Sequence, residues 1–215
     1  MSKFFNTETH DEEDTRLQAP ATARNRGFIL ELLEACLPRE GTLLEIASGT
    51  GEHAAYMAPK LAPLLWQPSD IDDRHLASID AWRHHTGAEN ILPTRRFNVL
   101  EDRWNFTDLP APLSAIAAIN LIHIAPWDVA VSLMKGAGES LPAGGILYLY
   151  GPYKRQGKHT APSNAAFDLS LKRRNPDWGV RDMEAVTELA GSAGFRAPDI
   201  VSMPANNFSL IFKKG

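Results

Sequence analysis

The sequence predicts an α/β fold: a mostly parallel sheet with helices on both faces. Three observations carry that expectation. Strand-length apolar runs alternate with segments of helical period along the chain. The run Ala115–Leu121 is apolar almost throughout, as a strand covered on both faces must be. Residues Leu43–Gly51 read LLEIASGTG, an apolar run that breaks into a glycine turn opening the next helix, and nineteen residues after Gly51 a second apolar run, Leu64-Leu65-Trp66, leads to Asp70. Strand, tight turn, helix and a strand ending in a carboxylate make a nucleotide cradle. Glycine lets the backbone approach the ligand, and the carboxylate can accept both ribose hydroxyls.

Each element has its own signal. From Arg24 the positions Phe28, Leu32, Leu33, Cys36 and Leu37 recur at helical spacing, and Pro38 ends that helix. The first strand is Thr42–Ala47, and the helix after Gly51 is broken by Pro59 and Pro63. The second strand is Leu64–Asp70. Asp72 or Asp73 caps a helix with Leu76, Ile79 and Trp82 inward, and Gly87 stops it. A short third strand falls within Ile91–Val99, and the fourth is Ala115–Leu121. Pro126 suits the first turn of a helix with Val129, Leu133 and Ala137 on one side. The turn at Pro142–Gly145 enters a fifth strand, Ile146–Tyr150. Met183, Val186, Leu189 and Ala190 mark a last helix closing near Gly194. Two strands follow, Asp199–Met203 and Phe208–Lys213; the four residues between them cannot hold a crossover helix, so the pair is antiparallel.

Composition narrows the class. At 215 residues, 44% apolar and 22% charged, the chain suits one ordinary globular domain over 1–215. A net charge of −4 gives no general attraction for nucleic acid. No apolar stretch approaches a membrane span, and the N-terminus lacks the apolar core of a signal peptide, so a cytoplasmic location is expected. Cys36, the single cysteine, lies on the apolar helix face and reads as a buried core thiol. Residues 1–20 are polar, with an acidic cluster at 11–14; residues 1–25 are either a solvated tail or a lid that orders over a ligand. The adjacent His84 and His85 diverge on their helix, so no metal site is expected.

Gly49 to Ala54 matches the relaxed dinucleotide pattern GxGxxA, which keeps NAD as a rival ligand. Two features favour S-adenosylmethionine. Glu45 stands inside the strand before the turn, where its carboxylate can anchor turn amides and, through water, an ammonium group. The antiparallel terminal pair marks class I methyltransferases rather than dehydrogenases. Ala47 replaces the first glycine of their motif, with Ser48, Gly49 and Gly51 completing the turn. Asp70 then takes the ribose, with Ile71 beside it. Asn98, followed by Val99, faces the adenine amino group, and His53 belongs to the cofactor loop. Asn120 and Leu121 close the fourth strand under the sulfonium.

Longer stretches go beyond the generic pattern: Pro20–Arg26 (PATARNR), Gly49–His53 (GTGEH), Trp66–Asp70 (WQPSD), Asn120–Trp127 (NLIHIAPW), Tyr150–Tyr153 (YGPY), Ser163–Leu171 (SNAAFDLSL), Asn175–Asp182 (NPDWGVRD) and Met203–Asn207 (MPANN). From Pro20 onward the chain resembles the methyltransferase-like protein 26 family, whose substrate is unassigned. The resemblance implies a Rossmann-like class I methyltransferase fold with a seven-stranded, mostly parallel sheet in the order 3-2-1-4-5-7-6, the last strand antiparallel. It also implies S-adenosylmethionine as cofactor, S-adenosylhomocysteine as product, and Arg24 and Asn25 at the methionine end. For those two residues, a helix start and surface charge is the alternative. Asn175 stands where Asp is usual and Phe208 where Leu is usual.

The acceptor side falls to the polar insertion 151–181. From Lys154 to Arg181 it carries seven Lys/Arg against two Asp, read either as a solvated loop or as a lid attracting an anion. The NPP[YFW] motif of amine-methylating nucleic-acid enzymes is absent after the fourth strand, where NLIH stands. Stacking aromatics are few, so the favoured acceptor is a small molecule, with an anionic one in view and nucleic acid disfavoured. Methyl transfer needs alignment, and a base only for a protonated acceptor. His123 and Tyr153 are placed by topology as base or acceptor-orienting groups, although His123 can equally cap the strand. Asn164, Asp168, Arg173, Trp178, Arg181, Asn206 and Asn207 are candidates for the pocket wall, with an Asp168–Arg181 structural ion pair as the alternative. The function expected is methyl transfer from S-adenosylmethionine; the rivals are a non-catalytic binder of the same ligand and an NAD-linked oxidoreductase. No oligomeric state is readable.

Overall fold

A computed structural model describes residues 14–215. Helix α1 spans Pro20–Cys36, with proline at its first turn, where a missing N–H loses no helical bond. Strand β1 (Thr42–Ile46) is buried along its whole length and runs into α2 (Glu52–Met57) and a single 3-10 turn, Ala58–Lys60. Strand β2 (Leu65–Asp70) lies parallel to β1, pairing Thr42 with Leu65 and Glu45 with Pro68. Helix α3 (Asp73–Thr86) starts where the Asp72 carboxylate accepts the N–H groups of Arg74 and His75, and stops at left-handed Gly87. Strand β3 is only Arg95–Arg96, parallel to β2.

There follow β4 (Leu113–Ile119), α4 (Trp127–Ser140) and β5 (Ile146–Gly151). The former insertion holds β6 (Tyr153–Arg155), β7 (Lys158–His159), α5 (Pro162–Arg174) and β8 (Arg181–Asp182). Helix α6 (Met183–Ser192), β9 (Asp199–Met203) and β10 (Asn207–Lys213) complete the chain. The main sheet has seven strands in the order β3-β2-β1-β4-β5-β10-β9. Strand β10 is antiparallel to both neighbours, with Leu210 opposite Leu149 of β5 and Ile200 of β9. This is the predicted fold class, with the reversed strand in its predicted place. No helix among the described residues is long and apolar enough to cross a membrane.

Two compact units make up the chain. The first runs up to Asn98 and takes in Thr107–Ala115; the second is Val99–Phe106 with Ile116–Gly215. The core of the first gathers Ile29, Leu33, Leu43, Leu44, Ile46, Met57, Trp66 and Ile79; that of the second gathers Ile116, Leu133, Leu147, Tyr148, Leu149, Val186, Leu210 and Phe212. Val129, Leu133 and Ala137 of α4 are buried as their spacing predicts.

Some expectations need correction. Helix α1 starts at Pro20 rather than Arg24 and buries Thr22, Asn25, Ile29, Leu30 and Leu33. Phe28 is exposed and Cys36 only half-buried, because polar Thr22 and Asn25 occupy the inner face and rotate it away from the apolar stripe. The fourth strand is Leu113–Ile119, so Asn120 and Leu121 lie beyond its end. The insertion is not a loop: β7-β6-β8 form a second, three-stranded sheet beside α5. The polar segment before α1 is packed from Asp14 onward, with Leu17 buried; the rest of the predicted acidic cluster, Asp11, Glu12 and Glu13, lies outside the described residues.

Candidate functional site

In the first unit the glycine turn is a run of left-handed backbone: Ala47 has φ 54°, Gly49 59° and Gly51 87°. Such angles disfavour a Cβ, so Ala47 holds by context a conformation that glycine adopts freely. The turn is pinned from three directions. Ser48 N–H donates to Ser69 O at 2.8 Å, Gly51 N–H to Ser48 O at 3.1 Å, and Gly49 N–H to Asp70 Oδ2 at 2.9 Å. Asp70 is therefore the anchor as well as a ligand candidate. Its Oδ1 accepts the N–H groups of Ile71 (2.8 Å) and Asp72 (3.0 Å) and meets His75 Nδ1 at 3.2 Å. Burial alone would raise its pKa; the hydrogen bonds from His75, Asp72 and Gly49 outweigh that and hold the carboxyl below its usual range. Among the described residues Oδ2 accepts a single N–H, that of Gly49, and keeps a lone pair for a further donor. Next to it Ile71 is 58% exposed, an apolar face where an isolated surface residue would be polar. Val99 is buried and Asn98 half-buried beyond β3.

Glu45 does not anchor turn amides. Its carboxylate accepts the indole N–H of Trp66 at 3.0 Å, while the pinned turn amides go to Ser69, Asp70 and Ser48. Full burial pushes its pKa up to about 7, against the lowering effect of bonds from Ser48 and Trp66.

The segment before α1 grips the same region. Leu17 N–H donates to Ser78 Oγ, Trp82 Nε1–H donates to Leu17 O, and Ala19 N–H donates to Glu52 Oε2. Asn25 is buried with its Oδ1 2.9 Å from His53 Nε2. Burial, reinforced by Arg26, lowers the His53 pKa to about 4, so the ring is neutral and donates its Nε2–H to Asn25. Arg24 is exposed on α1.

In the second unit Asn120 turns the chain out of β4 with φ 59°, its N–H bonded to Tyr150 O at 2.8 Å. Three residues on, the His123 ring packs edge-on to Tyr153, centroids 5.3 Å apart. Both are buried, at 1% and 0% exposure, and among the described residues no hydrogen-bond partner reaches His123 Nδ1, His123 Nε2 or Tyr153 Oη. His123 Nε2 stands where a Cβ on Gly151 would fall, 2.0 Å away, so glycine there is a packing requirement. Burial, with Arg181 adding to it, pushes His123 down to about 3; burial pushes Tyr153 up. Both side chains are thus enclosed and uncharged.

Arg181 holds that loop in place. Its Nε–H donates to Ile122 O, its Nη2 group to Ala125 O and Asp177 O, and Gly179 N–H donates to His123 O. The alternative reading, an Asp168–Arg181 ion pair, is not formed, because those carbonyls take the guanidinium. Asp168, buried on α5, instead accepts Val180 N–H at 2.7 Å on Oδ1, and its Oδ2 faces Lys172 Nζ (2.9 Å), His159 Nε2 (3.3 Å) and Lys154 Nζ (3.4 Å). Asn164, one helical turn earlier, donates to Thr160 Oγ1 and Asn206 O, and Asn206 Nδ2 reaches Ser163 Oγ. Asn207 bonds to Pro204 O. Asn164, Asp168 and Asn206 are thus drawn towards one part of α5, while Arg173 is exposed and Trp178 sits half-buried in the turn after α5, its N–H on Asn175 O.

The sequence reading missed Thr50, Glu52 and Ser78 around the turn, and Lys154, His159 and Lys172 around Asp168. Only Lys172, four residues after Asp168 on a helix, had a legible signal.

The fold has known relatives. An O-methyltransferase family protein from Burkholderia thailandensis superposes with a TM-score of 0.76 at 17% identity, covering 91% of this chain and 57% of that one. An O-methyltransferase family 2 protein from Planctomyces limnophilus, in complex with apigenin, gives 0.71 at 17% identity, covering 88% and 62%. Human N-acetylserotonin methyltransferase, in complex with S-adenosylmethionine, gives 0.69 at 15% identity, covering 95% and 59%. The chain thus spans less than two thirds of the length of each, and the likeness is one of fold. Over nearly the whole of its length, residues 16–214, it matches the family model described as protein of unknown function (DUF938), and it belongs to that family.

Proposed function

We propose that this chain is an S-adenosylmethionine-dependent methyltransferase acting on a small, anionic molecule by in-line methyl transfer. The observation that carries the proposal is β10, reversed between β5 and β9, which separates this sheet from an NAD-binding one of the same parallel core. The cradle in the first unit fits the cofactor. Asp70 Oδ2 has a lone pair for a ribose hydroxyl, Ile71 offers an apolar face to a purine, and left-handed Ala47, Gly49 and Gly51 keep side chains off the turn. Asn98 and Val99 would flank the base, Asn25 and His53 the methionine end, and Asn120 and Leu121 the reacting methyl. When bound, the cofactor supplies a methyl group on a sulfonium, which an acceptor lone pair takes as the carbon–sulfur bond breaks and S-adenosylhomocysteine leaves.

The Planctomyces and human relatives, solved with apigenin and with S-adenosylmethionine, support a small-molecule acceptor and this cofactor. Placement within the methyltransferase-like protein 26 group is part of the same proposal, supported by the motif strings from Pro20 to Asn207. So is a single catalytic domain over 1–215, with residues 151–181 on the acceptor side.

Buried, neutral His123 bears on the choice of acceptor. A carboxylate or another acceptor already deprotonated at neutral pH needs no base. The same observation favours a second reading, a non-catalytic binder of S-adenosylmethionine or S-adenosylhomocysteine.

Calorimetry against S-adenosylmethionine, S-adenosylhomocysteine and NAD tests the cofactor. Binding of the two sulfur ligands and none of NAD is expected, and Asp70→Ala should weaken it. Binding of NAD alone, or indifference to Asp70→Ala, overturns the assignment. Labelled cofactor incubated with a metabolite extract then separates enzyme from binder.

A further inference from the structure

Two lysines and a histidine from three different elements converge on one oxygen in the second unit: Lys154 of β6, His159 of β7 and Lys172 of α5, all within 3.4 Å of Asp168 Oδ2. One carboxylate cannot neutralise two ammonium groups, so the cluster keeps a surplus of positive charge even with the imidazole neutral. Asp182 is the register partner of Lys154 across β6 and β8. Its carboxylate accepts the N–H groups of Gly157 and Glu184 and forms no ion pair with Lys154. Glu184 is likewise engaged, by Arg155 and the Gln156 N–H. Asp168 is buried, while the Lys154 and Lys172 side chains are 21% and 48% exposed. The carboxylate is thus the enclosed partner and the two lysines the more exposed ones. His159 Nδ1, enclosed and without a hydrogen-bond partner among the described residues, adds an unsatisfied polar atom on the same ring.

We propose that Lys154, His159 and Lys172, arranged over Asp168, form a binding site for an oxyanion, carboxylate or phosphate, and that, resting on the function proposed above, this is the acidic group of the methyl acceptor. The lysines supply charge-assisted hydrogen bonds from two directions. Asp168 holds both ammonium groups in place before the anion arrives and at the same time repels it, which sets a moderate affinity. An ion-pair network that merely fastens α5 to β6 and β7 lacks this last property, and the difference makes the site testable.

Inorganic phosphate and acetate, titrated separately into the full-length protein without cofactor and followed by NMR, are the probes. Binding should saturate, and a stronger response to one probe identifies the oxyanion type. Lys154→Met with Lys172→Met should weaken it by about tenfold or more. Asp168→Asn should tighten it, by about threefold to tenfold, because a repelling charge is removed. Thermal unfolding with and without phosphate provides a second readout: phosphate should raise the Tm of the wild type and of Asp168→Asn but not of the double lysine variant. Absence of saturable binding of either probe overturns the proposal, as does unchanged affinity in the double lysine variant or weaker binding by a folded Asp168→Asn. Since cofactor is absent, failure here leaves the calorimetric test of the cofactor independent, and failure there leaves the anion site standing.

Discussion

Ser78 Oγ donates to the carbonyl of Thr50 at 2.7 Å, and the same hydroxyl accepts the N–H of Leu17 at 2.8 Å. One buried side chain on α3 therefore ties the glycine turn to the segment before α1. Glu52 makes a second tie: its Oε2 takes Ala19 N–H and the Thr50 hydroxyl. Ser78→Ala removes the first tie and leaves a backbone donor and a backbone acceptor buried without partners. The expected loss is about 2–4 kcal/mol of stability, read from urea unfolding, with faster native-state proteolysis near Leu17. Unchanged stability and unchanged cleavage would show that the tie carries no weight.

Two substitutions in the turn should act with opposite sign. Ala47 occupies left-handed backbone at φ 54°, where a Cβ is disfavoured by about 1–2 kcal/mol. Ala47→Gly relieves that strain, and after the greater entropy of glycine in the unfolded chain a net gain of about 0.5–1 kcal/mol remains. Gly51 combines φ 87° with crowding: a Cβ there would lie 2.8 Å from Ile79 Cα, a backbone atom that cannot move aside alone. Gly51→Ala should cost about 2 kcal/mol or more and weaken S-adenosylhomocysteine binding. Equal effects of the two changes would contradict this account of the turn.

What could be read beforehand follows from where the information resides. Periodicity, prolines and glycines are local, so β1, β2, α3, α4 and the reversed β10 were legible, down to the Asp72 cap and the Gly87 stop. Helix α1 misled because its inner face carries Thr22 and Asn25, which hydropathy assigns to the outside. Strands β6, β7 and β8 are only two or three residues long, too short for any alternation to show. Within the candidate site, the glycine turn was legible because it is contiguous, and Asp70 because it ends the next apolar run. The Glu45–Trp66 bond, the Ser78 tie and the cluster over Asp168 join residues remote in the chain, and a single sequence does not pair them.

Glu45 makes stability depend on pH. Its carboxyl is pushed from 4.5 in the unfolded chain up to about 7 in the fold. Between those values the folded state retains a proton that the unfolded state has lost, so stability falls as pH rises and levels off above 7. The shift amounts to about 3 kcal/mol. Glu45→Gln keeps an oxygen for the Trp66 indole and removes the titration. His53 and His123 act with the opposite sign below pH 6.5, but they are common to both proteins and cancel in the difference. Wild-type stability relative to Glu45→Gln should therefore decline from pH 4.5 to 7, and Trp66 fluorescence should titrate near the upper end. A flat difference would mean that the carboxyl is not held protonated by burial.

Tyr153 separates what the fold needs from what the chemistry needs. A buried tyrosine hydroxyl is ordinarily bonded, and its removal then costs about 1 kcal/mol or more. Here no hydrogen-bond partner among the described residues reaches Tyr153 Oη, and the ring packs against His123. Tyr153→Phe keeps that packing and deletes no protein hydrogen bond, so stability should stay within about 0.5 kcal/mol of the wild type or rise. Affinity for S-adenosylhomocysteine should be unchanged, because Tyr153 is not among the residues proposed to hold the cofactor. Methyl transfer to the acceptor, once one is found in the extract assay, is the discriminating measurement. A large fall in kcat with stability and cofactor affinity intact would mean that the hydroxyl meets the acceptor during turnover. An unchanged kcat would assign the Tyr153 ring to packing against His123 and leave its hydroxyl no part in aligning the acceptor.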